Sequence, residues 1–147
     1  MAFDIRFIRG AIDGSRLGNA SFHGEIDLGG EREEFLSLIG FWSPRDYENQ
    51  WTDGVRRLVA GEGDSCLITS IHDPAVAEVG TWWLLYRRRG AVYVQNALLL
   101  FRDAGTQFTT LDPYRSIPER QTATEDGRPI SEWELPISDF AEFLSRS

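Results

Sequence analysis

Cys66 and His72 are the one thiol and imidazole close together in the sequence. Such a pair could carry nucleophilic catalysis if the thiol were ionised and the ring held as its base. Cys66, however, lies inside SCLITSI, an apolar run in which cysteine packs as a small hydrophobe. Metal ligands are scarce. His23, His72 and Cys66 cannot supply the four donors of structural zinc, and Asp73 with Glu78 lacks the spacing of a calcium loop. No serine sits in a G-x-S-x-G elbow. Gly61-Glu62-Gly63 is too short to cradle phosphate, and Glu62 and Asp64 would repel the anion. Glu132 and Glu134 share a strand face, as a glycosidase pair could, but an alternating strand with one solvated face gives the same pattern. The chain therefore predicts no catalytic residue, no metal and no cofactor.

Two further groups carry binding potential. Asn96 falls on the face of its strand that bears Val92, Val94, Leu98 and Leu100. A buried amide there needs partners or costs about 1–3 kcal/mol. Among the tryptophans, Trp51 and Trp133 read as core by periodicity, and Trp42 as a packing residue before a helix cap. Trp82 and Trp83 point to opposite sides of one strand, so one of them could reach a surface and anchor an interface.

These residues are positioned by a short list of elements. FDIRFI alternates apolar and charged residues and SFHGEIDLG follows after a turn-rich Gly10–Asn19 stretch, so the N-terminus predicts a hairpin. Gly29-Gly30 breaks the chain before EREEFLSLIGF, which suits either a short helix or a strand. Ser43-Pro44-Arg45-Asp46 is a helix start, with a capping serine, proline in the first turn and an acid three residues on. Tyr47, Trp51, Val55 and Leu58 continue it as one apolar stripe, predicting a helix over 44–60. Strands follow at 65–71, 81–88 and 91–100, the last two a hairpin apolar on both faces. Residues 102–128 are irregular, 131–137 alternate as a strand, and SDFAEFLSR makes a short C-terminal helix. The expected architecture is α+β, one domain over 1–147, with a largely antiparallel sheet and one main amphipathic helix.

Composition sets the partner class. The net charge is −8, and all 15 basic side chains are arginine. So acidic a chain is a poor match for a nucleic-acid backbone, which needs concentrated positive charge. Residues 81–116 carry five arginines against two acids, while the flanking segments are acidic, so a basic macromolecule is the natural complement, although plain solubility accounts for the same balance. One cysteine excludes an internal disulfide and suits a reducing compartment. MAFDIRFIRG does not join a basic flank to an apolar stretch, so no signal peptide is expected, and the longest apolar run, Ala97 to Phe101, is far short of the ~20 residues of a membrane span.

The motifs QW at the helix, SCLITSI, WWLLYR, VYVQNALLL and ISEWELPISDFAEFL resemble the small immunity proteins of contact-dependent growth inhibition systems. The resemblance covers residues 42–101 and 130–144. It implies a cytoplasmic, non-enzymatic inhibitor that binds the C-terminal toxin domain of a surface exoprotein, as a monomer in a 1:1 complex, and occludes its active site. Toxins of that kind are often basic nucleases. Contacts in such families lie in variable exposed segments, so the resemblance transfers no binding residue. The charge pattern instead nominates the exposed acids Glu62, Asp64, Asp73 and Glu78 as toxin contacts. Two other readings stay open: a small hydrolase or transferase with a loop site near His72 and Asp73, and a self-associating regulatory subunit.

Overall fold

Positive φ at both Gly29 (65°) and Gly30 (98°) closes a two-residue hairpin loop, the geometry that right-twisted strands favour. The tract after it is therefore a strand rather than a helix. In the computed structural model, which describes residues 3–14, 19–103 and 106–146, β1 (Phe3–Gly14), β2 (Asn19–Leu28) and β3 (Glu31–Ile39) form an antiparallel meander. β1 runs on to Gly14, well past FDIRFI and into the stretch read as turn, whose residues 15–18 lie outside the described ones. Phe3, Ile5, Ile26 and Leu28 point inward. On the outer face Arg6 bonds Asp4 (2.9 Å), Glu25 (2.7 Å) and Asp27 (3.0 Å), with Arg32 also on Asp27.

α1 (Pro44–Ala60) starts and stops where its local signals place it. Ser43 accepts from the Asp46 N–H while Asp46 accepts from the Ser43 N–H, and Gly61 ends the helix in the left-handed region. β4 (Ser65–Ser70), β5 (Val79–Arg88), β6 (Ala91–Leu100) and β9 (Trp133–Pro136) make a second antiparallel sheet in the order β4-β5-β6-β9. Between them in sequence lie the two-residue strands β7 (Arg102–Asp103) and β8 (Thr106–Gln107) and a 3-10 turn at Pro113–Ser116. α2 (Ile137–Arg146) closes the described chain, with Phe140 stacked on Phe3 at 4.2 Å. The fold is α+β, with two main antiparallel sheets where one was expected.

Among the described residues β4 has no strand on its outer side, and α1 takes that place. Gln50 donates to the Cys66 carbonyl (2.9 Å) and accepts from the Ile68 N–H (2.6 Å), as a neighbouring strand would. Trp51 Nε1 donates to the Ile68 carbonyl (2.7 Å), and the Tyr47 hydroxyl accepts from the Ile71 N–H (2.9 Å) while donating to the Leu38 carbonyl (2.7 Å). Burial pushes the Tyr47 phenol up to about 12, so it keeps the proton it donates. Gly54 permits this approach, because a Cβ there would stand 2.4 Å from the Cys66 carbonyl oxygen.

Segment 117–132 covers the far face of the second sheet and is fastened by charge. Arg120 bonds Glu132 through Nε (2.9 Å) and Nη2 (2.6 Å), and Gln95 donates to both Glu132 and the Gln121 carbonyl. The Arg120 bonds, then that of Gln95, hold the Glu132 carboxyl below its ordinary 4.5 despite its burial. A depressed native pKa stabilises fully above the unfolded value and is lost as pH falls through the native one. Glu132→Gln should therefore flatten the pH dependence of stability below about 4.5, read by urea unfolding between pH 3 and 6. An unchanged slope would show that this pair does not contribute.

Candidate functional site

The four nominated acids fall in two places. Glu62 and Asp64 lie in the α1–β4 connection, Asp73 and Glu78 in the β4–β5 connection. The six residues of β4, at about 3.3 Å each, separate the two pairs by roughly 20 Å.

The Glu62 end is rich in arginine. Arg57 Nε donates to the Asp64 carbonyl (2.9 Å), Arg88 Nη1 bonds the Asp64 carboxylate (2.8 Å), and Arg87 Nη1 caps the Leu58 and Val59 carbonyls of α1 (2.9 and 3.1 Å). These are favourable places for cations, beside the carbonyl end of a helix. With Arg89, the side chains of Arg87 and Arg88 line a shallow depression beside Asp64. Glu62 is exposed, but the acid beside it is already neutralised.

At the other end, Asp73 makes a turn. Its Oδ1 accepts from the Ala75 N–H (2.9 Å), and its carbonyl accepts from Val76 and Ala77 (3.0 Å each). Glu78 is exposed and its carbonyl takes the Phe101 N–H at 3.0 Å, tying this loop to the end of β6.

The groups that could do chemistry stay apart. Cys66 is fully buried, and burial pushes its thiol well above the ordinary range, so it is neutral and packed. His72 is exposed beyond the far end of β4. Glu132 is occupied by Arg120. Among the described residues, no three His, Cys, Asp or Glu side chains gather as a metal site requires, and no helix is long and apolar enough to cross a membrane. A groove of about 700 Å³ between β1, α1 and α2 is lined by Arg6, Arg45, Arg56 and Arg146 against Asp4 and Glu48.

Two readings of the hairpin change. Asn96 is exposed, and the buried amide is its neighbour Gln95 on the opposite face, which bonds the Gln121 carbonyl and Glu132. The face carrying Val92 and Val94 is buried at their end and open at Asn96, Leu98 and Leu100. Trp82 and Trp83 are both buried, one on each face, against Phe108 (6.2 Å) and Trp133 (5.6 Å), so neither reaches the surface. The open strip on β6 is what the sequence reading missed. Its one signal was the three consecutive leucines 98–100, more apolar surface than one covered face can take.

The molecule is thus an acidic α+β protein of two antiparallel sheets braced by one helix. The sequence model of the CdiI N-terminal domain family matches residues 37–143, and the chain belongs to that family. Over 112 residues it is 29% identical to the immunity protein CdiI of Enterobacter cloacae subsp. cloacae, spanning 76% of this chain and 77% of that protein. A chain of the solved CdiA-CT/CdiI toxin and immunity complex from Enterobacter cloacae has the same fold, with a TM-score of 0.86 and 24% identity over 98% of this chain and 97% of that one.

Proposed function

We infer that this protein is the immunity partner of a contact-dependent growth inhibition toxin. It binds the C-terminal toxin domain of its cognate exoprotein, covers the active site in a 1:1 complex and performs no reaction of its own. Membership of the CdiI family over residues 37–143 carries this reading. The dispersed chemistry agrees, since Cys66 is sealed and His72 stands away from it. Acting as one domain in the cytoplasm, it would meet the toxin after entry. The charge of −8 favours a basic partner, for which a nuclease is the natural candidate. Exposed Glu62, Asp73 and Glu78 add long-range attraction, and Asp64 adds least because Arg88 holds it.

The test is titration against the C-terminal domain of the exoprotein encoded directly upstream, at two salt concentrations and with the toxin's activity followed in parallel. Nanomolar binding that weakens with salt and silences the toxin is the expected result. Absence of binding at micromolar concentration would sink the reading.

A further inference from the structure

Two contacts show how β3 lies across the second sheet. Near its start, Glu31 accepts from Trp133 Nε1 of β9 at 2.6 Å; near its end, the Leu38 N–H meets Ser70 Oγ of β4 at 3.4 Å. Since the sheet order is β4-β5-β6-β9, β3 crosses from one side of the sheet to the other. β3 is an edge strand, and the Leu38 N–H and carbonyl both point away from β2, to Ser70 and Tyr47. By the alternation of antiparallel pairing, the main-chain groups of Leu36 and Glu34 face the same open side.

Beside that edge the floor of the second sheet is apolar and uncovered. Val79 pairs with Leu100 and Thr81 with Leu98, and β9 stops short of both pairs. Leu98 is 66% exposed, Val79 48%, Leu100 46%, and Leu36 on β3 55%. Val79, Leu98 and Leu100 stand side by side on this face and Leu36 is exposed on the strand that crosses it, more than the singly scattered apolar residues of an ordinary surface. Acids border them. Glu33, Glu34 and Glu78 are exposed; neither Glu33 nor Glu78 has an ion-pair partner among the described residues.

Resting on the immunity reading above, we propose that the corner formed by β3 and the Asn96–Leu100 half of β6 is the toxin-docking surface. It takes a basic, partly apolar face of the toxin domain, with Leu98 at the centre and Glu33, Glu34 and Glu78 as the rim. The chemistry of the corner fits such a partner on both counts. An apolar centre supplies the contact that resists dissociation, and an acidic border, in which among the described residues Glu34 alone meets a partner, His23 at 3.4 Å, steers a cationic surface to it. It also brings one of the nominated acids, Glu78, into a site together with groups that the charge pattern alone left out.

Leu98→Arg tests the proposal, with Leu111→Arg, at a residue 95% exposed elsewhere, as control. Affinity for the upstream toxin domain is measured by calorimetry, thermal unfolding is checked for each variant, and amide exchange of the wild-type complex is mapped. The expected result is a loss of about 100-fold for Leu98→Arg, as for a charge placed at an interface centre, with unchanged melting. Leu111→Arg should bind as wild type, and amides of 33–36, 79–81 and 96–100 should be protected in the complex. Wild-type affinity in Leu98→Arg, or protection confined to the groove between β1, α1 and α2, would overturn the proposal. If sedimentation shows a wild-type dimer that Leu98→Arg dissolves while toxin binding persists, the corner belongs to a second copy of the chain and the proposal falls. Failure of both wild type and control to bind the toxin would instead remove the immunity reading, and the docking surface with it.

Discussion

Trp51→Ala lowers the free energy of unfolding by about 4 kcal/mol, the middle of the range for truncating a buried tryptophan. Three losses combine in this substitution. The indole is 2% exposed and lies between the two sheets' shared packing partners, with Phe7 at 4.8 Å, Phe35 at 5.7 Å and Tyr47 at 6.4 Å. Its removal leaves a cavity that rigid strands on either side cannot close. It also leaves the Ile68 carbonyl without the Nε1 donor that lies 2.7 Å away. Trp51→Phe separates the terms, because it restores most of the ring but not the donor. Its cost should be about 1–3 kcal/mol, the penalty of a buried orphaned acceptor with some lost packing. Urea denaturation of the two variants measures both. A loss below about 1 kcal/mol for alanine would mean that α1 is not docked as described.

Gln50→Leu is the second large effect, and its origin is polar. Leucine nearly matches the volume of glutamine, so packing changes little. What disappears is a pair of bonds to main-chain groups of β4, the Cys66 carbonyl and the Ile68 N–H, both sealed beneath α1. Two unsatisfied buried groups at about 1–3 kcal/mol each give an expected loss of about 3 kcal/mol. Gln50→Glu discriminates the cause: it keeps the acceptor, loses the donor and buries a carboxylate, so its deficit should shrink as pH falls and the acid protonates. A leucine variant as stable as wild type would show that water reaches this edge.

Much of this arrangement was legible in the sequence because its determinants are local. The Ser43 capping box, Pro44 and Gly61 lie within a turn of the helix ends they define, and α1 occupies the 44–60 they predict. The 81–100 hairpin was equally plain, since its turn and its apolar run are contiguous. The division into two sheets was not legible. Which strands share a sheet depends on pairings far apart in the chain, such as Val94 with Trp133. The alternation at 131–137 suggested a seven-residue strand, but pairing lasts four residues, and the exposure of Asn96 and Leu98 follows from no pattern within their own strand. Charge counting found the acids but not their partners. Asp64 meets Arg88 across 24 positions, a contact that no local pattern announces.

The single thiol turns the α1–β4 seam into a clock. Cys66 is fully enclosed and its sulfur is held protonated, so it cannot attack a disulfide reagent in solution while the helix stays seated. Each modification event records one excursion in which α1 lifts off or the chain opens as a whole. The rate at which the reagent is consumed, at its limit, is then the opening rate of the native state. No probe need be introduced and no other cysteine competes. A ligand that holds only the closed form must lower the equilibrium population that is open, so the same thiol reports occupancy of a surface that it never touches.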